Sequence, residues 1–158
     1  MLWNKLSQIR KLIPIIIEPD ELVNLIEVFW KEKDRFIDDY VQKNPLNLTY
    51  RNLNIIKDFK YGMRKNFLLA VYEKNYTVLN DEGINYMVKG LNENLDKFIP
   101  AEKTPMLIQT AIMPFNGMII YDGFISTADM QLSQELVSKA FEDYSYGQKI
   151  YSLLPKSM

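Results

Sequence analysis

Cysteine and histidine are both absent from this 158-residue chain, and the two absences remove most of the reactive chemistry available to a protein of its size. Without cysteine there is no disulfide, no thiolate nucleophile and no zinc cluster. Without histidine there is no side chain that titrates unaided near neutral pH, and most catalytic triads are excluded with it. Glycine is scarce, at six residues. Gly83, Gly90, Gly117 and Gly123 stand isolated, so no glycine-rich loop is encoded to cradle a phosphate. Neither sign of charge dominates: 19 basic against 20 acidic residues leave a net charge of −1. That balance removes the global electrostatic footprint of a nucleic-acid binder and still allows a local basic patch. Long hydrophobic runs are also missing. The stretch 12–17 is interrupted by Pro14 and stopped by Glu18, too short for a signal core or a bilayer span. A cytoplasmic location and no membrane partner are expected.

Apolar and aromatic residues are plentiful, at 47% and 13%, enough for a packed core. One globular domain over 1–158 is expected, mainly helical over 1–61, mainly β over 64–125 and helical over 127–154. The strongest helix runs over 19–41. Pro19 suits a first turn, Asp20 and Glu21 favour the positive end of the helix dipole, and Asn44-Pro45 lies just beyond the end. At about 100° per residue, Leu22, Leu25, Ile26, Phe29, Trp30, Phe36, Ile37, Tyr40 and Val41 share one wide stripe that must be buried. A second helix is expected over 49–59, capped by Thr49.

After Gly62 the texture turns to strands, at 67–72, 76–79 and 84–88, with turn residues between them. A short helix is expected over 93–99. The sharpest local signal is 106–125, where two apolar runs flank Asn116-Gly117, the dipeptide that most favours a type I′ hairpin. The second of these runs is apolar at odd and even positions alike, as in a strand covered on both faces. Ser126 and Thr127 offer caps to a final helix over 130–144, and 148–154 reads as one more helical turn. The class is α+β, with N-terminal helices, an antiparallel meander containing the Asn-Gly hairpin, and a C-terminal helix packed on the sheet.

The segment from Met113 through Pro114, Phe115, Asn116, Gly117, Met118, Ile119, Ile120, Tyr121, Asp122 and Gly123 to Phe124, with Tyr86-Met87-Val88-Lys89-Gly90-Leu91 upstream, resembles a block in uncharacterised bacterial proteins. That block reads roughly LPFxxxIIYDG. The resemblance covers the central third of the chain and implies a fold unit with no established activity. Some of those proteins carry a small metal-binding module, which a chain without cysteine and histidine cannot build.

Three constellations are candidates for function. Phe115 at the hairpin tip, with Tyr121 and Asp122, could anchor a protein partner, since aromatic residues dominate interfaces. Asp122 has an alternative role, accepting backbone N–H groups at a strand end. Lys57, Lys60, Tyr61, Arg64 and Lys65 interleave cations with an aromatic ring, a combination that can neutralise phosphate and stack on bases. The same residues also suit a solvated helix end. Lys33 falls in the middle of the apolar stripe of 19–41, where a buried lysine would act as a base or nucleophile beside Tyr121 and Asp122, whereas a snorkelling one would only reach water. The Asp38-Asp39 pair and the turn Asn80-Asp81-Glu82 lack the ligand spacing of a calcium loop. No metal, cofactor or catalytic residue is assigned. The expected function is binding of another macromolecule, a protein before a nucleic acid, in a regulatory or inhibitory role of bacterial or phage origin, and enzymatic activity through Lys33 is the alternative.

Overall fold

The computed structural model describes residues 19–127 and 132–156. The apolar stretch 12–17 and the expected start of the last helix at Met130 lie outside them. The chain divides into two compact units, 1–60 and 61–158, where one domain is expected from the sequence.

Described residues of the first unit form three helices, α1 (Pro19–Lys31), α2 (Lys33–Lys43) and α3 (Tyr50–Asp58). The single helix expected over 19–41 is therefore broken at Glu32, whose φ of −117° and ψ of 24° leave the helical region. Ile37 of α2 and Ile56 of α3 are both buried and line the same groove, while the Phe29 and Phe36 rings stack across the break at 6.1 Å. Asn44 ends α2 in the left-handed conformation, φ 39°. Its side chain donates to the Leu48 carbonyl and accepts from the Leu48 N–H, which folds the connection back towards α3. Thr49 caps α3 by accepting from the Asn52 N–H at 3.3 Å, as its sequence position indicates.

The second unit is built on seven strands: β1 (Met63–Glu73), β2 (Tyr76–Asp81), β3 (Ile84–Lys89), β4 (Met106–Phe115), β5 (Met118–Tyr121), β6 (Ser126–Thr127) and β7 (Gln148–Ile150). Its described residues also form the helix α4 (Gln134–Tyr146). The class is α+β. The meander is confined to β1–β3, because β5 inserts between β3 and β4 and runs parallel to β3. With β1 paired to both β2 and β4, the order β1-β2-β3-β5-β4 closes on itself as a five-stranded barrel. A bulge at Ala70, between the pairs Leu69–Leu79 and Val71–Val78, bends β1 so that its first half follows β4 and its second half β2.

Alternation decides what fills the barrel. Phe67, Leu69, Leu79, Tyr86, Val88, Ile108, Ile112, Ile119 and Tyr121 point inward from all five strands. Ala70, Val78 and Met87 point outward, beneath Tyr144 of α4. The segment expected as a helix over 93–99 is instead a pair of 3₁₀ turns, at Leu95–Lys97 and Ala101–Lys103. Leu95 of the first turn and Ile99 between the two are buried in the same core as the inward strand residues. The Tyr121 hydroxyl donates to the Glu93 carbonyl at 2.8 Å and the Tyr72 hydroxyl to the Ile99 carbonyl at 2.7 Å, tying this segment to the strands. Burial pushes the Tyr72 hydroxyl up to about 12, so it stays a donor.

Two-residue turns at Glu82-Gly83 and Asn116-Gly117, all four residues at positive φ, join β2 to β3 and β4 to β5. Residues 126–127, expected as helix caps, pair with β4 as β6. Ser133 caps α4 in their place, accepting from the Leu136 N–H. The tail expected as a helical turn over 148–154 is extended at its start, where β7 runs parallel to β3. The buried carboxamides explain that change: Asn85 Nδ2 donates to the carbonyls of Tyr144 and Gly147, which fixes where the chain leaves α4 and sets it beside β3.

Candidate functional site

The first unit carries an open groove of about 660 Å³, walled by Leu25, Val28 and Phe29 of α1, Phe36, Ile37 and Tyr40 of α2, and Pro45, Ile56 and Phe59 beyond. Among the described residues its charged lining is Asp39 and Lys43, which pair with each other at 3.0 Å. The wall is built from the stripe that the sequence marks for burial. Helix α3 covers the Ile37 side, while Leu25 stays 55% and Val28 48% exposed. Large apolar side chains left open beside one another mark a contact surface.

The residues singled out from sequence are placed elsewhere. Phe115 is half-buried at the hairpin tip. Tyr121 is buried, and its hydroxyl is held by Glu93. Asp122 accepts from the Phe124 N–H at 3.0 Å, and its own N–H donates to the Ala111 carbonyl, so it shapes the chain leaving β5. Burial raises its carboxyl above the usual range, against the pull of that hydrogen bond and of the nearby Arg64 guanidinium. Lys33 donates to Asp34 at 3.0 Å and to the Lys60 carbonyl at 2.5 Å, within the helical unit. Tyr121 and Asp122 find their hydrogen-bond partners within the barrel unit.

The basic cluster spans the boundary between the two units. Lys57 sits 5.9 Å over the Tyr50 ring and Lys60 pairs with Asp38, both in the first unit. Tyr61, Arg64 and Lys65 belong to the barrel unit, where Lys65 pairs with Asp81 at 2.7 Å.

Sequence reasoning missed a second polar assembly, because its members lie 71 and 76 positions apart. Tyr144 of α4 donates to Glu73 Oε1 at 2.6 Å, and Lys149 of β7 donates to the same oxygen at 2.9 Å. The Tyr144 hydrogen bond, followed by that of Lys149, holds the Glu73 carboxyl below its ordinary value of 4.5. A carboxyl lowered in this way stabilises the fold fully above that value, and the contribution is lost as pH falls through the folded one. As pH falls through and below the ordinary value of 4.5 the native protein is therefore expected to lose more stability than the Glu73→Gln variant, as urea titrations at each pH would register. Parallel curves for the two proteins would contradict this.

No group of three or more His, Cys, Asp or Glu side chains among the described residues is placed to hold a metal ion. No described helix is long and apolar enough to cross a membrane. No family model, curated protein or solved structure matches the chain. A small closed barrel is an architecture that hosts many functions and by itself assigns none.

Proposed function

We propose that this is a non-catalytic binding protein, regulatory or inhibitory in role, and that its helical unit takes an amphipathic helix of a protein partner into the α1–α3 groove. The observation that carries the reading is the apolar wall left open to solvent on α1 and α2. A helical segment is the occupant that fits. The walls are themselves helices whose Leu25 and Phe29, and Phe36 and Tyr40, stand four residues apart and form ridges with grooves between them. A partner helix with apolar residues at i, i+3, i+4 and i+7 interlocks with such ridges. The groove is open to solvent, whereas a site for a small molecule encloses most of its ligand.

The test uses a synthetic amphipathic helical peptide as probe, with the paired substitutions Leu25→Asp and Val28→Asp. Both positions are exposed, so α1 is expected to keep its helical circular dichroism. Loss of two apolar anchors should weaken the peptide by about tenfold or more. Phe115→Ala should bind like the native protein. Undiminished binding by the paired variant, or weakening only by Phe115→Ala, would sink the proposal.

A further inference from the structure

We propose that the α1–α3 groove has an occupant within its own chain: residues 2–13 dock in it as an amphipathic helix, and a partner helix binds by displacing them. The inference rests on the reading of the groove given above and adds its regulation. Residues 1–18 lie outside the described residues, and their sequence carries the pattern that the groove selects. Leu2, Leu6, Ile9 and Ile13 stand at i, i+4, i+7 and i+11, within about 60° of one another on a helical wheel. Lys5 and Arg10 flank this stripe, one on each side, and Asn4, Ser7, Gln8 and Lys11 fall on the opposite face.

Punctuation, length and charge favour this occupant. Pro14 disfavours the helical region for Ile13 and so ends the pattern there, while Pro19 opens α1. Residues 14–18 are then a five-residue connection, within the range that joins antiparallel helices. A helix over 2–13 would measure about 18 Å and the 13 residues of α1 about 20 Å, so the segment folded back runs the length of the wall that holds Leu25, Val28 and Phe29. Segment 2–13 carries Lys5, Arg10 and Lys11 and no acid, a side-chain charge of +3, whereas 19–43 carry seven acidic against four basic residues, a charge of −3. Glu21 stands one turn before Leu25 on the same face of α1 and is exposed. A basic amphipathic helix also suits an anionic membrane surface. The groove has the advantage of a short tether, which presents the segment at an effective concentration on the order of millimolar.

The absence of cysteine makes a single spin label specific, and the full chain serves for every measurement. A nitroxide on Ser7→Cys of the ¹⁵N-labelled protein should broaden the amide signals of 25–29 and 36–40. A nitroxide-bearing unlabelled chain mixed with the ¹⁵N-labelled native chain should not. The paired substitutions Leu6→Asp and Ile9→Asp should abolish the broadening and tighten binding of the synthetic amphipathic helical peptide about tenfold, because an occupied groove is only fractionally available. Both positions precede α1, so helical circular dichroism of α1 to α3 should persist. Three results would overturn the internal occupant: no broadening at 36–40, broadening only in the mixed sample, which makes a second copy the occupant, or equal peptide affinity for the native and paired chains. Loss of the broadening on adding vesicles of anionic phospholipid would overturn it as well, assigning the segment to a membrane surface. In each of these cases, peptide binding that still depends on Leu25 and Val28 leaves the reading of the groove standing. Failure of both the native and the Leu6→Asp, Ile9→Asp chains to bind the peptide would end that reading and this one together.

Discussion

Gly90→Ala is expected to cost the barrel about 3–5 kcal/mol, a large share of the ~5–15 kcal/mol that holds a domain of this kind together. A β-carbon at Gly90 would lie 1.9 Å from the Glu93 carbonyl oxygen and 2.6 Å from its carbon, both backbone atoms. No rotamer change can relieve that overlap, so the turn itself must move. It is the turn that delivers Leu95 and Ile99 into the core, and Glu93 is also the acceptor for Tyr121. Movement there therefore costs packing and a buried hydrogen bond together. Gly117→Ala is the comparison that isolates cause: at Gly117 the space is open and only the positive φ of 75° is strained, a penalty of about 1 kcal/mol. Urea denaturation of both variants should show Gly90→Ala as much the worse, and a loss at Gly90 no greater than at Gly117 would refute the steric account.

Asn85→Ala is the second large effect, expected at about 2–4 kcal/mol. Asn85 is fully buried. It accepts from Asn80 Nδ2 at 2.7 Å and donates to the Tyr144 carbonyl at 3.0 Å and the Gly147 carbonyl at 3.3 Å. Truncation leaves a buried amide donor on Asn80 and deprives two carbonyls of the same partner, and unsatisfied buried polar groups carry the full desolvation penalty. Because the lost bonds anchor the end of α4 and the start of β7, the loss should be local in character. Hydrogen exchange should quicken through 144–150 before it quickens in β1 or β4. Uniform acceleration across the barrel, or none, would show that Asn85 does not clamp this segment.

Local signals in the sequence were readable, and long-range pairings were not. Thr49 ahead of a helical pattern and Asn116-Gly117 between apolar runs each act over a few residues, and both do in the structure what their chemistry dictates. The break at Glu32 carries no glycine or proline to announce it. The parallel pairings of β3 with β5 and with β7 join residues more than thirty and more than sixty positions apart, so the closed barrel leaves no trace in any window of sequence. The groove was half legible. Leu25, Phe29, Phe36 and Tyr40 show the periodicity of a face that seeks cover, and the sequence cannot say that the cover would be incomplete.

Chemical-shift mapping of the ¹⁵N-labelled protein during titration with the amphipathic helical peptide tests most directly whether the chain works through its helical unit. Perturbations concentrated at Leu25, Val28, Phe29, Phe36 and Tyr40, saturating together and leaving the interior strand residues of the barrel unmoved, are the predicted result. Perturbations centred on the β4–β5 hairpin around Phe115, or a spectrum unchanged at peptide saturation, would contradict it.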